Sequence, residues 1–265
     1  MLVDVAGATL WADVSGDGAP LVFIPGFTLD HRVWDPQVAA FSAQYWVLRY
    51  DQRGFGRSSM PSEAYSHAED VAALLRHFKI GSAHVVALSV GAVHALELAL
   101  LHPGLVRSLA LVDCAGLGPL PFPPDVQQMF ARIKAAARGP EGVEVAKRIW
   151  RAGGWFAPAL ERPEAARLLD AQLSTYSGWH WLNDNPARSL SPPIHERLSE
   201  ITAPTLVVVG ERDLAYDHQL AELLTKRLPH AIRRVLPGVG HFPPLEDPEA
   251  FNAALLSFLE SVPWV

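Results

Sequence analysis

Three residues in this chain of 265 have the types that nucleophilic acyl chemistry requires. Ser89 interrupts the apolar run VVALSVGAVHAL, Asp213 closes the tetrapeptide GERD, and His241 ends PGVGH. A serine hydroxyl is a weak nucleophile until a base takes its proton. A histidine can act as that base near neutral pH. A buried carboxylate can hold the imidazole in one tautomer and stabilise the imidazolium. Alone, Ser89 reads equally well as a small residue at a crowded strand–helix junction, because A-x-S-x-G is a weak pattern.

The surrounding elements change that balance. PLVFIPG and YWVLRYD are short, continuous apolar runs of the kind found in strands buried on both faces. AHVVAL, VRSLALVD, PTLVVVG and AIRRVLPG also read as strands. Between them lie helical patterns: EDVAALLRHFKI behind the capping box Ser66-His67-Ala68-Glu69, VGAVHALELALLH, DHQLAELLTKRL, and a last helix from about Pro248 to Glu260. LVDV and TLWADV flank Ala6-Gly7-Ala8 as a hairpin. Alternating strands and helices imply an α/β fold with a mainly parallel sheet. Such sheets bind ligands outside the carboxyl ends of their strands. Ser89, Asp213 and His241 each follow a strand, in that order. The separation of Asp213 from His241 leaves room for one helix and one strand, so neighbouring strands can present them side by side.

The texture changes after Asp113. GLGPLPFPPD is a Pro/Gly-rich linker, and from Asp125 to about Ala187 only helical patterns occur. The expected organisation is a core of residues 1–117 and 195–265, with an inserted helical cap, 118–194.

Composition narrows the partners. A net charge of -6 without a long basic run argues against nucleic acid and anionic membranes. One cysteine, Cys114, allows no internal disulfide and reads as a buried small residue. No apolar stretch reaches the roughly 18 residues of a membrane span. The first residues lack the basic start of a signal peptide, so a cytoplasmic protein is expected.

The pattern resembles the α/β-hydrolase superfamily across the whole core. FIPGF resembles its oxyanion strand-loop, with Pro25 where histidine is usual. DQRGFGRSS resembles its D-x-R-G-x-G-x-S turn, and GERD and GVGHFPPLEDPEAF resemble its acid and histidine loops. The resemblance is nearest to small carboxylesterases, 3-oxoadipate enol-lactonases and cofactor-free perhydrolases. It implies an α/β-hydrolase fold, with Ser89 as nucleophile, His241 as base and Asp213 as its acid. Oxyanion donors would be the backbone N–H groups of Phe27 and Val90. The second also follows from position, because Val90 opens a helix and its N–H is free at the positive end of the dipole. The substrate would be a small ester or lactone, and no cofactor or metal is implied. The same triad also serves perhydrolysis, acyl transfer or carbon–carbon hydrolysis, and a receptor-like member of the fold could keep the pocket with little turnover.

Several residues carry competing readings. The nucleophile elbow usually has glycine where Ala87 stands. One added methyl perturbs pocket shape rather than the nucleophile. Asp113 also ends a strand and is the rival acid, with a turn residue opening the linker as its alternative; GERD favours Asp213. Arg53 and Asp51 read as braces of a turn. His31 and Trp34, just past the oxyanion loop, are candidates for the pocket wall, and a surface loop position is the alternative for His31. Trp150, Trp155, Trp179 and Trp181 fall in the cap. Most cap aromatics must pack the cap onto the core, and one or two are expected to roof the pocket, favouring a hydrophobic or aromatic substrate.

Overall fold

The structure is a computed structural model and describes residues 1–262. Eight strands form one sheet: β1 (Leu2–Val5), β2 (Ala8–Ser15), β3 (Ala19–Ile24), β4 (Tyr45–Tyr50), β5 (Ala83–Leu88), β6 (Val106–Val112), β7 (Thr205–Gly210) and β8 (Ala231–Leu236). Their spatial order is β1-β2-β4-β3-β5-β6-β7-β8. The hairpin β1–β2 joins antiparallel to β4, and every pairing from β4 onward is parallel. Both β5 and β7 are buried along their whole length, which is why their sequences run apolar without alternation. By contrast, β8 is an edge strand: Ile232 and Val235 are 50% and 43% exposed, with Arg233 and Arg234 between them. Charge on an exposed edge discourages pairing with another chain.

Helices α1 (Asp35–Phe41), α2 (His67–His77), α3 (Val90–Leu101), α9 (Ala215–Arg227) and α11 (Pro248–Glu260) flank the sheet. Ser66 caps α2 by accepting a bond from the Glu69 N–H, the first half of a capping box. Between β6 and β7 the chain makes only helices: α4 (Pro124–Arg138), α5 (Gly142–Arg151), α6 (Ala157–Leu160), α7 (Pro163–Thr175) and α8 (Trp179–Leu182). The single-turn α10 (Pro243–Glu246) follows β8. Among the described residues no helix is long and apolar enough to cross a membrane.

Three local expectations are corrected. Trp34 is not in the wall of the cavity at Ser89: it is fully buried in the core, its ring 4.8 Å from Phe23 and 6.4 Å from Phe251. His31 is neither in a pocket wall nor on the surface. Its ring lies 3.8 Å from Trp11, and its Nδ1 is 2.7 Å from Asp51 Oδ1. The short 3-10 turn over His31–Trp34 swings both side chains inward. Asp51 does brace the turn after β4, accepting the Arg57 N–H at 2.8 Å, with its carboxylate where a Cβ at Gly56 would stand. Arg53 does something else. Its guanidinium grips both oxygens of Asp70 on α2, at 2.7 and 2.6 Å, and donates to Ala6 O, tying the hairpin turn to α2.

Candidate active site

Ser89 sits between β5 and α3 with φ 57° and ψ −124°, a backbone conformation that non-glycine residues rarely adopt. The strain is held by its N–H to Val112 O at 2.8 Å and by its carbonyl, which accepts the Ala92 N–H at 3.0 Å. The tight packing falls two residues later. A Cβ at Gly91 would meet Pro25 O at 2.5 Å and Ile24 O at 3.0 Å. Ala87 is accommodated in the sheet, fully buried in register with Ile24 and Leu111.

The turn after β7 and the loop after β8 bring Asp213 and His241 to this serine. His241 Nε2 lies 3.0 Å from Ser89 Oγ, and His241 Nδ1 lies 2.7 Å from Asp213 Oδ2. With Nδ1–H donating to the carboxylate, Nε2 is left to accept the serine proton. Burial opposes charge on His241, yet the adjacent Asp213 outweighs it and holds the imidazole above its ordinary pKa. Burial likewise works to raise Asp213, but the His241 imidazole and the neighbouring Asp113 outweigh it, leaving that carboxyl below its usual value.

Asp113 follows β6 directly and accepts the Gly210 N–H at 2.9 Å, so the imidazole bond belongs to Asp213. Full burial, then the Asp213 charge, push Asp113 well above the carboxylate range. A third acid, Asp217 in the first turn of α9, is raised to about 7 by burial, an effect partly offset by His241. Two clusters, Asp113/Asp213/His241 and Asp30/His31/Asp51, are compact enough to hold an ion. Most of their acceptor atoms are engaged by donors: the imidazoles, the Gly210 N–H, and the Arg32 guanidinium on Asp30. Asp113 Oδ2 is the exception, buried with no hydrogen-bond donor.

Ser89, His241, Phe27 and Val90 line one cavity of about 340 Å³. Val90 is first in α3, so its N–H has no partner within the helix. The rest of the wall is apolar: Leu29, Ala115, Phe122, Phe130, Trp150, Trp155 and Phe242, with Gly116. Two of these tryptophans come from the helical block and are pinned to the core through their indole N–H groups. Trp150 donates to Thr28 Oγ1 and Trp155 to Asp217 Oδ2, each at 2.8 Å. The Trp155 ring lies 5.5 Å from that of His241.

Trp179 and Trp181 are outside the wall. Trp181 is buried against Tyr176 at 4.9 Å, and the half-buried Trp179 packs on His180. Both sit on the single turn of α8, behind Phe27 rather than over Ser89. Sequence reasoning passed over Phe122, Phe242 and Asp217. Phe242 adjoins His241, and Asp217 stands one helical turn beyond Asp213, so both spacings held a signal. Phe122 lies in the Pro-rich linker, where no periodicity marks it.

Comparison with known proteins fits this geometry. The model of the alpha/beta hydrolase family matches residues 21–254. The chain belongs to this family. Among curated members, this alpha/beta hydrolase is 26% identical to 3-oxoadipate enol-lactonase 1 of Acinetobacter baylyi, over 99% of this chain and 97% of that one. It is 27% identical to carboxylesterase YbfK of Bacillus subtilis, over 92% and 81%. Among solved structures it is similar to Est816, described as an N-acyl homoserine lactone degrading enzyme, at 31% identity and TM-score 0.79, covering 97% of this chain and 100% of that one. The enol-lactonase of Burkholderia xenovorans LB400 superposes with TM-score 0.81 at 26% identity, covering 98% and 100%.

Proposed function

We propose that this alpha/beta hydrolase is a serine hydrolase of carboxylic esters or lactones bearing a hydrophobic or aromatic group. The observation that carries the reading is the pair of contacts through one imidazole: Nε2 to Ser89 Oγ at 3.0 Å and Nδ1 to Asp213 at 2.7 Å, at the floor of an apolar cavity. In this mechanism Ser89 attacks the carbonyl carbon while His241 takes its proton. The Phe27 and Val90 N–H groups hold the oxyanion, and removing one such donor typically costs about 3–4 kcal/mol of barrier. His241 then returns the proton to the leaving alkoxide, leaving an acyl group on Ser89. Water, deprotonated by His241, attacks the acyl carbon and releases the acid. Asp213 orients the imidazole and offsets its transient charge. The aromatic wall supplies binding to the apolar part of the substrate. Names of relatives that denote lactone and ester hydrolysis support the same substrate class.

The test is hydrolysis of an aryl ester by wild type and Ser89→Ala, with labelling by a serine-directed phosphonate. Turnover and labelling should both vanish in the variant. Equal turnover in the two proteins would sink the reading.

A further inference from the structure

A second cavity of about 270 Å³ adjoins the first, and its chemistry is the opposite. Gly116 belongs to both walls. A Cβ there would touch only Phe122 Cζ, at 3.7 Å, so the partition at this point is bare backbone. Helix α3 runs beneath both. Val90 faces the first cavity, and Val93, His94 and Glu97 face the second. Those positions share one helical face at three- and four-residue spacing. At 1.5 Å per residue, Glu97 lies about 10 Å along the axis from Val90. The opposite wall is the segment that returns from the helical block to the sheet, including Arg188 and His195.

We propose that this second cavity is a polar subsite continuous with the apolar one, and that it takes a carboxylate carried at the far end of the substrate. The inference rests on the hydrolase reading for what occupies the first cavity. The wall carries one guanidinium, Arg188, and three imidazoles, His67, His94 and His195. Among the described residues, no hydrogen bond or ion pair engages the Arg188 guanidinium, although the Arg188 backbone is fixed by its N–H to Tyr65 O at 2.7 Å. His195 lies over Gly118, where a Cβ would come within 3.0 Å of its Nδ1. His94 Nδ1 is buried with no partner, its ring stacked on His67 at 3.6 Å. A buried polar atom left unpaired is costly, so a ligand that satisfies it is favoured. Glu97 is the one acid in the wall, and its Oε1 already accepts the Ser66 hydroxyl at 3.1 Å. Arg188 is exposed at the mouth of this cavity, so its N–H groups are open to a carboxylate, which a guanidinium matches bidentately. A substrate with an apolar middle and an anionic end would thus lie along α3, its scissile carbonyl at Ser89 and its charge near Arg188.

The test is calorimetric titration of the intact protein with ω-phenylhexanoate and with the corresponding uncharged ω-phenylhexanol. Wild type should bind the carboxylate about tenfold more tightly, a difference of about 1.4 kcal/mol. Arg188→Ala should erase that preference without weakening the alcohol, and Arg188→Lys should keep part of it. Equal binding of the two probes by wild type, binding of neither, or an equal loss of both in Arg188→Ala would overturn the proposal. Turnover of a neutral aryl ester, measured on the same preparations, separates the two readings. Intact turnover with no carboxylate preference sinks the subsite alone. A carboxylate preference with no turnover sinks the hydrolase reading alone.

Discussion

Replacing Gly91 by alanine adds one methyl at the closest approach of α3 to the strand-loop that carries Phe27. Helix propensity by itself favours the change by up to about 1 kcal/mol. Sterics oppose it. The new Cβ would stand 2.5 Å from Pro25 O, about 0.9 Å short of ordinary contact at 3.4 Å, and 3.0 Å from Ile24 O. Both obstacles are backbone, so no side chain can rotate out of the way. Either α3 lifts off β3 or the 25–27 loop retreats. Overpacking of this kind costs about 1–3 kcal/mol, and the melting temperature should fall by roughly 2–12 °C, at about 2–4 °C per kcal/mol for a chain of this size. The same displacement separates the Phe27 N–H from the Val90 N–H by much of an ångström. A misplacement of about 1 Å can cost about 100-fold in rate, equivalent to about 2.7 kcal/mol of barrier. The assay is kcat/KM on an aryl ester together with a thermal melt. A Gly91→Ala protein with wild-type turnover and an unchanged melting temperature would refute the claim that this contact sets the elbow.

Two further perturbations address the pins between the helical block and the core. Trp150→Phe keeps an aromatic ring in the wall but removes the bond to Thr28, so stability should fall by about 1 kcal/mol in urea denaturation while KM for an aryl ester rises several-fold. Asp217→Asn tests a pH dependence. Folded Asp217 holds its proton to about pH 7, whereas the unfolded chain releases it near 3.8. Between those values the unfolded state binds fewer protons, so this group makes stability fall as pH rises, with the loss complete above about 7. The variant's melting temperature should therefore decline less than that of wild type between pH 4 and 8, and parallel curves would count against the raised carboxyl.

The convergence of Ser89, Asp213 and His241 was legible because each follows a strand, and parallel strands deliver their carboxyl ends to one edge of the sheet. Side-chain type and strand order were enough for that. The elbow pattern asks for small residues on both sides of Ser89, and Ala87 reads as tolerated; the distances to the Pro25 and Ile24 carbonyls put the tightest approach at Gly91. Trp34 and His31 were misread because nearness in sequence to the oxyanion loop says nothing about direction. A single 3-10 turn sent one ring to Phe251, far along the chain, and the other onto Trp11. The four tryptophans between β6 and β7 were identical as letters. Two reach the cavity because α5 and the turn after it face Ser89, whereas α8 packs behind Phe27. No periodicity distinguishes those cases. The polar cavity along α3 was equally hidden, since its residues come from four separate stretches of sequence.

The helical block leaves the sheet at the end of β6 and re-enters at the start of β7, and those two strands are hydrogen-bonded neighbours. The sheet therefore closes across the departure point whatever lies between. Doubling the length of such an excursion costs only about 0.6 kcal/mol of closure entropy. Ser89, Asp213 and His241 lie outside the excursion, while Trp150, Trp155 and Arg188 lie within it. In the hydrolase reading proposed above, change can thus accumulate in one continuous stretch of gene and reshape part of the cavity wall without touching the serine, histidine and aspartate. The three polar residues and the helical part of the wall lie on separate lengths of chain.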